Sequence, residues 1–433
     1  MTEHRLGYRE ISWFFFPLLL NVQLMSISHT IINSALARLD NYVTALAGIS
    51  VAMIVHLFIS SPSYQNHTVT MAMVRGRRSL YGVLLFIVLV AVYVTLMLGL
   101  IAFTPLGELI LTGLLGIPRE VAEEARKALI IMTFLPFFTG IRGFSQGMLI
   151  RARRTALVSF ATGIRVAGLF LFLFAGKIWF DGAQLGAFAL VSCVVTETLV
   201  ISWLALKERP TLLREGEERS TSDILRYAFP LAYSSCLQQT IPLLISAIIG
   251  RLHDGALALA AFGVIRGFLF LLAGPMRNLQ QTYMTLVKSV YDYRRLVFFS
   301  CCLSAAMGLI ILLTAGPLYQ LIIGQLLGVE TDLRDYLRLS FAACAIFPLL
   351  YGTSNLLRGW FSGAEQTSQL GRSTVIKSLF LLATWWPLVS WQPPVSGIVI
   401  GVVLLLAAET LEAVYLYHQR RKQPAGSRAL APF

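Results

Sequence analysis

The feature that most constrains this chain is a run of apolar blocks, each long enough to cross a lipid bilayer. Leu80–Phe103 and Val395–Tyr417 are the clearest, and a hydrocarbon core of about 30 Å needs about 20 apolar residues in a helix. Twelve blocks of this kind can be drawn: Ile11–Leu36, Tyr42–Met71, Leu80–Phe103, Val121–Ile150, Thr155–Ala175, Leu185–Leu206, Asp223–Ile249, Ala256–Val287, Leu296–Gly316, Leu333–Trp360, Thr374–Trp391 and Val395–Tyr417. No two-residue alternation is sustained, as a membrane barrel would require. The expected class is an all-α polytopic membrane protein of twelve transmembrane helices. Charged residues make up 13% of the 433, about half of what a soluble domain uses for its surface, so a soluble enzyme is excluded. Prolines 17, 62, 136, 230, 275 and 348 fall inside the blocks and mark kinks, whose freed backbone groups must face protein or water.

The net charge of +13 belongs to the loops and does not indicate nucleic acid. Basic clusters follow the even-numbered spans: Arg75, Arg77 and Arg78; Arg151, Arg153 and Arg154; Lys207, Arg209, Arg214 and Arg219; Lys288, Arg294 and Arg295; Arg420, Arg421 and Lys422. The odd-numbered spans are followed by single residues such as Arg38, Lys177 and Arg251. The positive-inside rule then places both termini in the cytoplasm, as expected of a multi-pass inner (plasma) membrane protein. The first apolar block runs on too long for a cleavable signal peptide. The polar stretch 207–222 reads as a linker between a lobe at 1–206 and a lobe at 223–418, with a cytoplasmic tail at 419–433. The five cysteines lie inside apolar stretches without metal spacing and read as buried thiols.

The two halves repeat each other. Phe16-Pro17 matches Phe229-Pro230, and Arg38-Leu39 matches Arg251-Leu252, at a shift of 213. Further on, at a shift of 212, Leu115-Gly116 pairs with Leu327-Gly328, Pro136 with Pro348, Gly140 with Gly352, Gly147 with Gly359, Arg165 with Lys377 and Glu197 with Glu409. Six spans per half is an even number, so the six-helix repeats are parallel, the plan of transporters that hold substrate between two halves and rock one against the other.

Charges inside apolar spans cost at least about 2.5–3.5 kcal/mol each to insert, so the few present carry information. Arg165 and Lys377 lie in spans five and eleven; Glu197, Glu409 and Glu412 lie in spans six and twelve. The pairs Arg165–Glu197 and Lys377–Glu409 either brace each half or form a cationic substrate site with proton-linked or charge-balancing glutamates. Ser26, His29 and Asn33 share one face of span one. With Gln238 and Gln239 of span seven and Arg266 and Arg277 of span eight, His29 and Asn33 complete the expected substrate-binding set. Arg142, Gln146, Asn355 and Arg358, near cytoplasmic span ends, are read either as snorkelling side chains or as an inner vestibule. No nucleotide, catalytic, cofactor or metal motif is present, which disfavours an ATP-driven pump and a membrane enzyme.

The twelve-span plan, Phe16-Pro17-Leu18 with Asn33, Ser61-Pro62, the basic loop Arg75-Gly76-Arg77-Arg78, Phe134-Leu135-Pro136-Phe137, Gly147-Met148-Leu149-Ile150, Leu327-Gly328-Val329 and Glu409-Thr410 carry a resemblance. The chain resembles the MATE-like exporters and flippases of the MOP superfamily, and among them the progressive ankylosis (ANK) family. Its compact loops fit a prokaryotic member. The resemblance implies a MATE-like fold and secondary-active export of a multivalent anion of the pyrophosphate, nucleotide or citrate kind, with H+ or Na+ coupling and membrane lipids as partners. Two alternatives stand beside it: a flippase for a lipid-linked, pyrophosphate-bearing saccharide, and a cation-coupled multidrug exporter. The family's acidic positions in span one are Ser26 and His29 here, which departs from its coupling chemistry.

Overall fold

A computed structural model describes residues 6–114, 117–208, 218–326 and 331–423. The turns at Leu115-Gly116 and Leu327-Gly328-Val329, Arg209 and Arg214 of the linker, and the tail beyond residue 423 lie outside the described residues. The first half contains α1 (Tyr8–Leu36), α2 (Tyr42–Ile59), α3 (Asn66–Met73), α4 (Arg77–Phe103), α5 (Arg119–Met132), α6 (Leu135–Arg151), α7 (Thr155–Gly176) and α8 (Gly182–Lys207). The second contains α9 (Thr221–Ile249), α10 (Gly255–Ala273), α11 (Asn278–Leu286), α12 (Val290–Ala315), α13 (Thr331–Ala343), α14 (Phe347–Gly363), α15 (Thr367–Trp391) and α16 (Gly397–Arg421). Each helix of the first half has a counterpart eight helices later. There is no strand among the described residues.

The described residues supply 11 helical segments long and apolar enough to span a membrane, and 12 when the bent pair α5 and α6 is taken as one. That pair was expected as one span from Val121 to Ile150 with a kink at Pro136. It turns by 50° at Thr133-Phe134, because Pro136 occupies the first turn of α6, where the ring's missing N–H is harmless only at a helix start. In the second half a 3₁₀ turn, Cys344–Ile346, precedes Pro348 at the start of α14. The breaks at Pro62 and Pro275 are also realised, as 3₁₀ turns Ser61–Gln65 and Gly274–Arg277. Side chains satisfy the carbonyls freed at the first of these: Ser61 Oγ donates to the Phe58 carbonyl at 2.6 Å and Tyr64 Oη to the Leu57 carbonyl at 3.2 Å.

The chain forms two compact units, Phe16–Cys236 and Met1–Phe15 with Leu237–Phe433. Their boundaries fall inside α1 and α9 instead of in the stretch 207–222. In the first unit, the core gathers α2, α4, α5, α7 and α8 around residues such as Leu36, Ile49, Leu98, Leu129 and Leu190. In the second, α9, α10, α12, α13 and α16 meet around Ile249, Phe262, Ile311, Phe341 and Ile398. In each unit a segment just before a long helix is hydrogen-bonded to the start of another helix. The Glu218 carboxylate accepts from the backbone of Ser79 at 2.9 Å and Arg78 at 3.3 Å, at the start of α4. At the repeat-related start of α12, Asp292 accepts from the backbone of Ser289 at 3.0 Å and Leu6 at 3.1 Å.

The cysteines do not all behave as buried thiols. Cys193 and Cys344 are buried and Cys236 half-buried, but Cys301 and Cys302 are exposed on α12. A small, weakly polar thiol tolerates a lipid-facing helix surface as readily as a protein core.

Candidate functional site

Among the described residues each unit contains a buried cluster of charges, and in both the sixth span meets the fourth and fifth. In the unit Phe16–Cys236, Glu197 of α8 is the hub. Arg165 of α7 donates to it at 3.1 Å and Arg142 of α6 at 3.0 Å. Thr162, one turn before Arg165, donates to its other oxygen at 2.7 Å, and Asn21 of α1 donates to the Thr162 hydroxyl at 2.6 Å. Arg165 is 2% exposed and Glu197 1%. Arg165 stands ten residues into the 22-residue α7, about 15 Å along a helix that rises 1.5 Å per residue, and so near the middle of the apolar layer.

Glu197 was matched in sequence with Glu409, but the helix register gives a different partner. Glu197 lies 15 residues after the first residue of α8, and Glu412 lies 15 after the first residue of α16. Glycine packing agrees. A Cβ on Gly186 would meet Leu36 and Ile49, and one on Gly401 would meet Ile249 and Phe262, which are repeat mates at a shift of 213. The fifth span of the second half, α15, is three residues longer than α7, 25 against 22, so the shift there grows from 212 to 215. Glu412 is therefore the counterpart of Glu197. Glu409 is an additional acid where the first half has buried Val194.

The second cluster has four charges. Lys377 of α15 donates to Glu409 at 2.5 Å and to Glu412 at 2.7 Å. Arg358 of α14 also holds Glu412, through Nε at 2.6 Å and through Nη2, and donates to the Thr374 hydroxyl at 3.3 Å. With its amide oxygen turned to the guanidinium, Gln238 of α9 accepts from Arg358 Nη1 at 3.2 Å. All four ions are at least nine-tenths buried: Arg358 6%, Lys377 3%, Glu409 7% and Glu412 1% exposed.

The clusters differ in net charge. Two guanidiniums share one carboxylate in the first, which leaves one positive charge among its described residues. Two cations face two carboxylates in the second, which is neutral. The Nε–H groups of both Arg142 and Arg165 are also buried without an acceptor, so the first cluster has unused donors as well as unused charge.

Comparison with known proteins places the fold. A family model described as progressive ankylosis protein matches residues 4–175, and no curated protein matches. Among solved structures, the eukaryotic MATE transporter AtDTX14 superposes with a TM-score of 0.75 at 14% identity, over 97% of both chains. The fold is that of the MATE transporters. A MOP superfamily transporter from Pyrococcus furiosus, whose structure is described as having a binding pocket of reverse polarity, gives 0.74 at 14% identity over 95% of both chains. A multidrug resistance MATE family transporter in an outward-facing conformation gives 0.72 at 14% over 96% of this chain and 97% of that one.

Within this MATE fold the sequence-derived residues separate into two groups. Arg165, Glu197, Lys377, Glu409 and Glu412 meet in the clusters, and so do Arg142 and Arg358, which sequence reading had set apart near the span ends. Their repeat positions hid them: at a shift of 212 Arg142 falls on Ser354 and Arg358 on Gln146, so the second cation has moved by one helical turn between the halves. Thr162 and Thr374, which lie 212 residues apart, and Asn21 complete the clusters. Half-buried His29 lies within electrostatic range of Arg165. Asn33, Arg266 and Arg277 are exposed, Gln146 and Gln239 half-buried. Asn355 is buried, and its amide donates to the Tyr351 carbonyl of its own helix at 2.8 Å. Ser26 likewise donates to the Val22 carbonyl at 3.1 Å.

Proposed function

We propose that this chain is a secondary-active transporter that exports a multivalent anion, with the Arg142, Arg165 and Glu197 cluster as its principal anion subsite. The observation that supports this is the uncompensated charge. An extra cation at the middle of an apolar helix is costly, and a buried charge without a partner is costlier than a paired one. An anionic ligand removes that cost and uses the two idle Nε–H donors, and guanidinium forks match carboxylate and phosphate oxygens. The substrate class is that of pyrophosphate, nucleotides and citrate. The match of residues 4–175 to the progressive ankylosis model agrees with this class, as does the likeness to a transporter described by reverse pocket polarity.

In this reading the halves 1–206 and 223–418 act as lobes joined by the linker 207–222. The chain works by alternating access in the plasma membrane, with both termini in the cytoplasm and a proton or sodium gradient as driving force. His29 and Gln238 belong to the substrate path. A flippase for a lipid-linked pyrophosphate saccharide uses the same cationic chemistry and is the second reading. A drug exporter for cations is not favoured by a cluster of net positive charge.

The test is transport in proteoliposomes loaded with labelled pyrophosphate, ATP or citrate, beside a lipid-linked diphosphate sugar assayed for flipping. Efflux of a soluble anion that falls at least tenfold in Arg165→Gln supports the export reading. Movement of the lipid-linked sugar alone replaces it with the flippase. Equal efflux from wild type and Arg165→Gln removes the anion subsite.

A further inference from the structure

Glu409 is the one ion that makes the two clusters unequal. If it is set aside, each cluster has two cations on one carboxylate: Arg142 and Arg165 on Glu197, Arg358 and Lys377 on Glu412. With Glu409 ionised the second cluster is neutral and closed, because Lys377 is divided between two carboxylates at 2.5 and 2.7 Å. With Glu409 protonated the second cluster has the same net charge as the first, and Lys377 is free to turn to another anion.

Glu409 and Glu412 are held unequally. Glu412 is bound by both Lys377 and Arg358. Among the described residues Lys377 is the sole hydrogen-bonding partner of Glu409, which is also the more exposed of the two, at 7% against 1%. A carboxylate with one cationic partner and a like charge one turn away gives up its charge more readily than one with two such partners.

The other groups around α16 do not offer a competing proton site at this point. From α15 there are Lys377 and, exposed and five residues earlier, Arg372. From α14 there are Arg358 and Tyr351, and Tyr351 lies within electrostatic range of Glu409, Lys377 and Arg277. The α10 helix brings exposed Arg266. From α13, Tyr336 donates to Asp254 and accepts from the Ile398 backbone at 3.2 Å, eleven residues before Glu409 and so about 16 Å away along the helix. Asp332, Arg334, Asp335 and Arg338 are the remaining charges of α13.

We propose that Glu409 takes up one proton when an anionic group of the substrate docks on Lys377 and Arg358, so that anion binding in the second half is linked to a proton while binding in the first half is not. This rests on the anion reading above. The proton adds to a Glu409 carboxylate oxygen, the Lys377–Glu409 ion pair opens, and the substrate anion takes the place of that carboxylate on the ammonium. No covalent bond other than O–H forms or breaks.

The test is pyrophosphate binding to the purified full chain by calorimetry, in two buffers of different ionisation enthalpy, for wild type, Glu409→Gln and Glu409→Val. The difference between wild type and variant cancels proton exchange by the ligand itself. Wild type is expected to take up one more proton per bound anion than either variant. Its affinity relative to the variant should then rise about tenfold per pH unit on acidification, the slope set by one linked proton. The valine variant restores the residue found at the repeat position, which guards against a folding defect in the glutamine one.

An infrared difference spectrum between neutral and acidic pH, without ligand, provides the second measurement. A protonated-carboxyl band present in wild type and missing from Glu409→Gln supports the site even if no anion binds, and in that case the anion reading alone falls. Equal proton counts in wild type and both variants overturn the proposal, and so does a band that survives the substitution.

Discussion

At the scale of single residues, Glu197 illustrates how a buried ion is judged by what depends on it. Removing its charge strands two guanidiniums, whereas removing Arg142 still leaves Glu197 paired with Arg165. Breaking a buried pair so that a charge is orphaned costs about 3–5 kcal/mol. Glu197→Gln is therefore expected to lower stability by about that amount, and Arg142→Gln by clearly less, as measured by thermal unfolding in detergent. If Arg142→Gln proved the more damaging, Glu197 would not be the hub. The pairs of opposite charge were legible in the sequence, because an isolated charge in an apolar helix needs a partner and the adjacent span offered one. The roles of Arg142 and Arg358 were not legible, since in the sequence each falls toward the cytoplasmic side of its apolar block, where a solvated or snorkelling side chain has the same signature. The partner of Glu197 within the repeat was misread because three residues inserted before the last span change the register without changing the hydrophobic pattern.

At the scale of helices, glycines decide how closely the broken spans approach α6 and α14. A Cβ on Gly147 would lie 2.6 Å from the His67 carbonyl and 2.8 Å from Thr70 Cβ. One on its repeat mate Gly359 would lie 2.7 Å from Tyr283 Cβ and 3.0 Å from the Gln280 carbonyl. Backbone and Cβ atoms cannot rotate out of the way, so Gly147→Ala and Gly359→Ala each force α3 or α11 to shift. Overpacking of this kind costs about 1–3 kcal/mol, and both variants should unfold at lower temperature. Unchanged unfolding would mean that the helices are not in contact there. Helix contacts of this kind were readable only indirectly, as glycines repeated at one shift. The kink at Thr133-Phe134 was readable from Pro136, but its sharpness was not, because hydropathy continues smoothly across it.

The cap on α4 belongs to the same scale and carries a pH dependence. Hydrogen bonds from the Ser79 and Arg78 backbones favour the ionised Glu218 carboxyl and hold it below the usual carboxylate range. A carboxylate depressed in the folded state stabilises above its unfolded pKa, and that contribution is lost as pH falls through the folded value. Glu218→Gln should thus lower the unfolding temperature at neutral pH, with the difference from wild type closing in acid. A difference that stayed constant down to acid pH would show that the carboxylate charge is not what caps α4.

At the scale of the whole molecule, the charge of the loops predicts an orientation. Arg75, Arg77 and Arg78, then Arg151, Arg153 and Arg154, then Lys288, Arg294 and Arg295, and finally Arg420, Arg421 and Lys422 all follow even-numbered spans. Short loops rich in lysine and arginine stay on the cytoplasmic side. Because each half has an even number of spans, both halves must obey the same rule for the chain to insert in one sense, and the two sets of clusters do agree. The expected outcome can be read with a membrane-impermeant thiol reagent on intact cells. In a background with the five cysteines replaced by alanine, Lys177→Cys should label from outside, and Arg153→Cys only after the membrane is opened. The turns at these two positions sit at opposite ends of the same helix, α7, which is 22 residues or about 33 Å long. The pair therefore reports one crossing directly. Labelling of both from outside would mean that α7 does not span. The reverse pattern would invert the whole chain.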